Sequence, residues 1–362
     1  MLKQSYEIPT LPLDIDVESK AVLKALSTAH RYLAEVKGRA ASIPNQGILI
    51  DTLTLQEAKA SSEVENIVTT QDDLFKADPI MGSPDSPAAK EVARYREALK
   101  VGFQEIGASH GNITNNTLIA MFRILKSRED GFRKLPGTAL KEGVTGRVVY
   151  VPPQEFDDVQ RCMANLEQYV NDPPVSELDP IIRMAIIHHQ FESIHPFPDG
   201  NGRIGRILNV LYLTKMGLLD TPILYLSRHI TKTKMEYYTR LQAVRDEGDW
   251  EGWILYILTA VAETSKTTLV LMTGIRDLMA EYKNTLRQKL PKIYSQDLLN
   301  NLFRHPYTRI EYIQNDLGVS RQTAAKYLDM LADAEFVTKV TQGRSNYYVN
   351  TRLINLFIQA AA

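Results

Sequence analysis

Residues 195–206, His-Pro-Phe-Pro-Asp-Gly-Asn-Gly-Arg-Ile-Gly-Arg, form a polar, glycine-rich break between two apolar stretches. That arrangement restricts the fold more than any other part of the chain. Upstream, Asp179 can cap a helix whose first position suits Pro180. The run 181–191 that follows is apolar almost all round, which predicts a helix buried on every side. Downstream, Ile204, Ile207, Leu208 and Leu211 recur at helical spacing, and Gly217 can end that helix. A helix, a glycine loop and a second helix are therefore the expected centre of the molecule.

The loop's side chains suit a polyphosphate. Gly200 and Gly202 lack Cβ atoms, so backbone N–H groups can approach an anion closely where the next helix begins. Arg203 and Arg206 are three residues apart, on one helical face, and both can reach phosphate oxygens. Asp199 is a hard oxygen ligand suited to Mg²⁺ bridging phosphates. His195 stands just ahead of the anion loop, where a general base receives the proton of an attacking hydroxyl. His188, His189 and Glu192 raise the question of zinc. The order His-Glu-x-x-His is absent, and adjacent residues diverge by about 100° on a helix, so packed or capping histidines are the preferred reading.

With His195, Phe197, Asp199, Gly200, Asn201, Gly202, Arg203 and Arg206 at these spacings, the stretch resembles the signature of the Fic (filamentation induced by cAMP) family, H-x-F-x-[DE]-G-N-G-R-x-x-R. Every fixed position is filled. The resemblance implies a mostly α-helical fold, with a Fic-type helical core and a β-hairpin flap. It also implies transfer of AMP from ATP to Tyr, Ser or Thr hydroxyls of a target protein, and of the chain itself, with release of pyrophosphate. Carried over by position, His195 is the base and Asp199 the Mg²⁺ ligand. Gly200, Asn201 and Gly202 hold phosphates, Arg203 and Arg206 contact the β- and γ-phosphates, and Ile204 and Gly205 complete the ATP-binding run. Doc-type kinases of the same fold carry Lys where this chain has Gly202, which argues for nucleotidyl transfer.

Ser61, Glu65 and Asn66 fill the family's inhibitory pattern [ST]-x-x-x-E-[GN], ahead of the catalytic motif as in the subclass with an N-terminal inhibitory helix. A Glu65 carboxylate pairing bidentately with Arg206 would occupy the γ-phosphate's space. Residues 135–153, with Val148, Val149 and Tyr150 bracketed by Gly143, Gly146, Pro152 and Pro153, read as a hairpin. By resemblance this is the flap that docks a target segment by strand addition. Tyr237 and Tyr238 resemble the family's adenine-side wall, where aromatic faces stack on purines. Some relatives carry an Asn near the position of Arg245, and this chain does not.

Along the rest of the chain, residues 1–16 read as an extended lead-in. Val22, Leu26, Ala29, Leu33 and Val36 predict a helix ending at Gly38. Residues 48–55 suit either a strand or a helix. Residues 76–87 read as a surface loop, 86–103 and 118–125 as helices, and 250–272 and 275–290 as two further helices. After about residue 290 the pattern becomes helix (309–317), turn (318–320), capped helix (321–331), then two strands (336–340 and 347–349) around a turn at 342–346. This part resembles a small C-terminal winged-helix (α+β) domain. The expected division is 1–110, 111–285 and 286–362.

Composition bounds the alternatives. Forty-two basic against 43 acidic side chains over 362 residues give no global attraction to nucleic acid or anionic membrane. In 301–350, Arg304, Arg309, Arg321, Lys326, Lys339 and Arg344 face Glu311, Asp316, Asp329, Asp333 and Glu335, a net of +1 that is poor for a DNA surface. Arg321, Gln322 and Lys326 would be its contacting side chains. A single cysteine, Cys162, excludes an internal disulfide, and the N-terminus lacks a signal peptide's apolar core, so a cytoplasmic protein is expected. The apolar run 253–262 meets Glu263 and Lys266, so no membrane span is expected. The rival reading is a transcriptional regulator that binds DNA and senses a nucleotide without turnover. Within the enzyme reading, removal of AMP with Glu65 orienting water also fits the residues, and a homodimer stays open.

Overall fold

The computed structural model of the chain describes residues 6–41, 43, 45–70, 87–141, 145–172, 178–342 and 345–361. Of the loop expected at 76–87, residues 76–86 lie outside the described residues, as do Gly143 of the hairpin and the turn residues Gly343 and Arg344, while Pro87 already begins a helix.

Helices dominate, and the two around the glycine loop form the centre. Helix α6 (Pro180–Ile194) begins as expected: the Asp179 carboxylate accepts from Ile181 N at 2.8 Å, with proline at the first position. It is buried all round. Helix α7 (Asn201–Lys215) packs against it, and Gly217 follows at φ 68°. The contact is close because of Gly205: a Cβ there would stand 2.5 Å from Glu192 Oε1 and 3.1 Å from the Phe191 ring. A methyl group at this position would push α6 and α7 apart.

Around this pair lie α1 (Lys20–Ala41), α2 (Gln46–Val64), α3 (Pro87–Ala108), α4 (Asn115–Lys126) and α5 (Phe156–Asn171). Gly38 does not end α1; the helix continues to Ala41, its exposed face tolerating the glycine. Residues 48–55 are helical, inside α2, with Ile48, Leu49, Leu53 and Leu55 buried. That helix is held between α3 and the short α8 (Ser227–Lys232) by one buried carboxylate. Glu57 accepts from Tyr95 OH (3.0 Å), from Ser227 N (2.9 Å) and from the Ser227 hydroxyl. A flap of two short antiparallel strands, β1 (Leu140–Lys141) and β2 (Val148–Tyr150), pairs Leu140 with Tyr150.

Helix α9 (Lys234–Glu247) leads into α10 (Trp250–Lys289). The two helices expected at 250–272 and 275–290 are one, of 40 residues. Gly274 does not break it; a Cβ there would stand 3.1 Å from Leu356 of α14 (Thr351–Ala361), tighter than ordinary contact. By length and composition α10 could cross a membrane, against the expectation from its charges. However, 67% of its most apolar window is buried in the fold. Trp253 Nε1 donates to Ala185 O of α6 at 2.8 Å, so the helix is part of the core.

The C-terminal part contains α11 (Gln296–Arg304), β3 (Tyr307–Thr308), α12 (Ile310–Leu317), α13 (Arg321–Asp333), β4 (Thr338–Gln342) and β5 (Ser345–Val349). Gly318 closes α12 at φ 65° and the Ser320 hydroxyl caps α13, accepting from Thr323 N. The strands form one antiparallel sheet in the order β3-β5-β4. Helices α11 and α14 and strand β3 were not expected from the sequence. Arg304 of α11 reaches back to Asp51 of α2 at 2.8 Å, beside Lys100 of α3 at 2.9 Å.

Candidate active site

The site forms where α6 ends and α7 begins. His195 caps α6 in the left-handed region, at φ 50° and ψ 57°, its N–H bonded to Phe191 O. This conformation is strained for a residue with a Cβ and persists only where its surroundings hold it. Arg133 does that holding. Its backbone N donates to Pro196 O (2.8 Å), its Nε to His195 O (2.9 Å), and its Nη2 to Pro153 O. No motif marks this residue, an arginine whose Nε and Nη2 donate to backbone carbonyls.

Asn201 closes the loop from within. Its amide accepts from Phe197 N and donates to Phe197 O, both at 2.8 Å, so the side chain expected near phosphate is spent on the loop's shape. Gly200 takes φ 79° and no side chain caps α7. The first-turn N–H groups of α7 therefore lie open to an anion, at the positive end of a 15-residue helix.

An anion from the chain itself already sits there. Glu65, at the C-cap of α2, places Oε1 so close to Gly202 that a Cβ at 202 would overlap it, and accepts from Arg206 Nη2 at 2.8 Å. The expected bidentate pair is not formed. Arg206 gives one N–H to Glu65 and two to Ser61, from Nε to Oγ and from Nη2 to the carbonyl, each at 2.8 Å. Only 1% of the Arg206 side chain is exposed. Burial works to raise the Glu65 pKa, but Arg206, then Arg203 and Lys234, hold its carboxyl below the usual range. Asn66 takes φ 61° and ends α2, its side chain accepting from Lys234 Nζ at 2.9 Å. Ser61, Glu65 and Asn66 are thus brought together with Arg206 and α9.

Arg203 points elsewhere. It is buried and pairs with Glu91 of α3 at 3.1 Å, and Lys126 of α4 shares that carboxylate at 3.3 Å. Lys126 also meets Asp199 at 2.5 Å, and Asp199 Oδ1 accepts from Gly200 N. Asp199 is 60% exposed at the rim; burial acts to raise its pKa, but Lys126 and Arg203 hold the carboxyl below its ordinary value. It is ionised at neutral pH and fits a hard cation. No group of three or more ligating side chains exists among the described residues, so a Mg²⁺ at Asp199 would take its remaining ligands from phosphate and water.

The paired tyrosines divide. Tyr237 is buried and donates to or accepts from His188 Nε2 at 2.9 Å, inside a cluster with Trp253 and Tyr256. Its ring is core, and the reading of it as adenine wall is corrected. Tyr238 is half-exposed and close enough to Glu65, Arg206 and Glu192 to feel their charges. His189 Nε2 lies 3.3 Å from Leu241 O. Burial pulls the His188 pKa down to about 3 and that of His189 well down, so both are neutral packing groups.

The flap divides similarly. Val148 and Val149 are exposed, while Tyr150 is buried and donates to Ser193 O at 2.6 Å. Tyr150 is therefore an anchor rather than a docking surface. Two more groups take places that the sequence reading did not give them. Glu192 is buried with Oε1 unpartnered, and burial, with Glu65 adding to it against Arg206 and Arg245, raises its carboxyl to about 7. Arg245 stacks over Tyr150. His195 is half-buried; burial, then the Arg245 and Arg133 guanidiniums, hold its imidazole down to about 4. It is an unprotonated base at neutral pH.

Comparison with known proteins follows the same map. Residues 23–104 match "Fic/DOC family N-terminal", 112–213 match "Fic/DOC family", and 278–353 match "Protein adenylyltransferase SoFic-like, C-terminal domain". A probable protein adenylyltransferase of Aquifex aeolicus is 28% identical over 174 residues, covering 47% of this chain and 51% of that protein. Protein adenylyltransferase fic-1 of Caenorhabditis elegans is 33% identical over 112 residues, 31% of this chain and 20% of that protein. The chain thus matches about half the length of the first relative and about a fifth of the second. The crystal structure of a Fic family protein from Desulfovibrio desulfuricans G20 shares the fold at TM-score 0.57 and 19% identity, over 94% of this chain and 97% of that one. Three matched regions in succession, with the loop and helices described above in the middle one, establish that the chain belongs to the Fic/DOC family.

Proposed function

We propose that this chain transfers AMP from ATP to a hydroxyl of a target protein, and that Glu65 holds it inactive. The observation that carries the reading is the Glu65 carboxylate seated on Gly202 and Arg206, an internal anion in a cradle built for an external one. Names of relatives support the chemistry: proteins matched by this chain are called protein adenylyltransferases.

In the transfer, the target hydroxyl oxygen bonds to the α-phosphorus while the bond from that phosphorus to the bridging oxygen breaks. Pyrophosphate leaves with the electron pair, and the hydroxyl proton goes to His195. The α7 N-terminus and Arg206 hold the phosphates, with Arg203 bracing the loop through Glu91. Asp199 would hold Mg²⁺, which supplies charge neutralisation on the phosphates. The exposed edge of β2 at Val148 and Val149 offers a target segment a strand to pair with. With Glu65 in place Arg206 is occupied, so ATP meets a site one guanidinium short. Positioning and electrostatics carry the rate.

The test is transfer of labelled AMP with Mg²⁺, to the chain itself and to a cell lysate. Glu65→Gly raises labelling about tenfold or more, as expected for one charge-assisted hydrogen bond removed. His195→Ala in that background abolishes it. ATP binding without labelling by any variant would instead favour a nucleotide sensor.

A further inference from the structure

We propose that Arg245 is a positioning residue of this reaction: stacked on Tyr150 and bonded to Ser193, it clamps the flap to the end of α6 and so fixes where a target segment lies relative to His195. The inference rests on the transfer reading just given, with the edge of β2 as the docking strand. The flap has little to hold itself in place. β1 has two residues and β2 three, and their pairing is irregular between Leu140 and Lys141. A two-stranded hairpin of this size is marginal in water, and no third strand joins it among the described residues. What fixes β2 is Tyr150, buried where Val148 and Val149 are exposed. Its hydroxyl donates to Ser193 O at 2.6 Å. The Arg245 guanidinium lies 3.8 Å from the centre of the same ring, and its Nε donates to Ser193 Oγ at 3.1 Å. Its Nη1 donates to Gln242 Oε1 at 3.2 Å on its own helix. Ser193 is buried on the last turn of α6, two residues before His195. One guanidinium therefore joins flap strand, helix end and α9.

Arg245 forms no ion pair among the described residues, unlike Arg203 with Glu91 or Arg206 with Glu65. Its charge is left to the face of the Tyr150 ring, where a cation is attracted. Arg133 supplies a second tie, from Nη2 to Pro153 O and from Nε to His195 O, but it grips the chain three residues beyond Tyr150. The strand itself depends on the Tyr150 clamp. A segment added to β2 pairs backbone to backbone, so its place is set by where β2 stands. A slip of one residue moves a target hydroxyl by about 3.3 Å and turns it to the other face. The phosphate cradle at Arg206 and the α7 N-terminus is built from other elements. Loss of the clamp is therefore felt by the protein substrate and not by ATP.

The experiment uses the Glu65→Gly chain as enzyme and, as acceptor, a tagged chain carrying Glu65→Gly and His195→Ala, which cannot label itself. Arg245→Met in the enzyme raises KM for the acceptor about three- to tenfold and leaves the Kd for ATP, read by calorimetry, unchanged. Arg245→Lys, which keeps a cation over the ring, recovers part of the loss. Tyr150→Leu raises the acceptor KM as well and serves if Arg245→Met does not fold. The two changes together add little to either alone, because each breaks the same contact. Hydrogen exchange at 148–151 reads the clamp without turnover and quickens about tenfold in Arg245→Met. A fall in kcat alone, a matching loss of ATP affinity, or unmoved flap amides overturns the proposal and leaves Arg245 a structural brace. If no acceptor is labelled by any variant yet the flap amides quicken with Arg245→Met, the transfer reading fails and the clamp stands.

Discussion

The loop at 195–206 and the turn at 318–320 are built alike. Each ends a helix on a left-handed residue, His195 at φ 50° or Gly318 at φ 65°, and starts another helix a few residues on. They treat charge in opposite ways. Around the first, Glu57, Arg203 and Arg206 are buried and each is met by residues from other helices, and Glu192 is buried beside them with Oε1 unpartnered. Around the second, Arg321 pairs with Glu311 and Lys339 with Asp329 in the open, the exposed pairs of an ordinary surface. A charge is expensive to bury, so a fold that buries several in one place has a use for them there. The outward face of α13, where a DNA contact would lie, shows no such investment.

The largest expected effect that sharpens this contrast is at Arg206. Arg206→Ala in the Glu65→Gly background lowers kcat/KM for AMP transfer about 10²- to 10³-fold, measured with labelled ATP. A loss below tenfold would mean that phosphate is held elsewhere. Next is Glu57→Ala, which strands the Ser227 N–H and the Tyr95 hydroxyl. It should cost about 3 kcal/mol in urea unfolding and, by loosening α2, raise labelling by the otherwise intact chain.

A smaller effect concerns pH. The folded Glu192 carboxyl titrates at about 7, above its ordinary 4.5, so the folded state binds the proton more tightly. Its contribution is fully present below about 4.5 and is lost as pH rises through about 7. Glu192→Gln should therefore flatten the stability profile across that window; an unchanged slope would show that Glu192 is not the group responsible. Least is expected of Arg321→Ala, under about 0.5 kcal/mol because its pair with Glu311 is exposed. A larger value, or a salt-dependent shift of duplex DNA lost in this variant, would break the contrast and restore the regulator reading.

Much of this was legible before any coordinates. The capped and wholly apolar run after Asp179, the glycine loop and the amphipathic helix after it follow from local chemistry, as does the Gly318–Ser320 turn. Errors arose where tertiary packing outweighed local preference. Gly38 and Gly274 look like helix breaks, yet both lie within helices, the second facing Leu356. Asn201 and Arg203 fit a phosphate motif, yet the fold commits one to Phe197 and the other to Glu91. Tyr237 and Tyr238 are neighbours in sequence, but a helix turns them about 100° apart, one into the core and one to the site.

What the sequence determined by itself was local and chemical: which residues can cap, bend, carry protons or hold anions, since those properties belong to a residue and its near neighbours. Only the tertiary structure decided which carboxylate sits on which guanidinium. Glu65 and Arg206 are 141 positions apart, Arg133 and His195 62, and Arg245 and Ser193 52. Such partners are chosen by helix packing, through the steric and dielectric environment of the whole core, and no spacing along the chain records that choice.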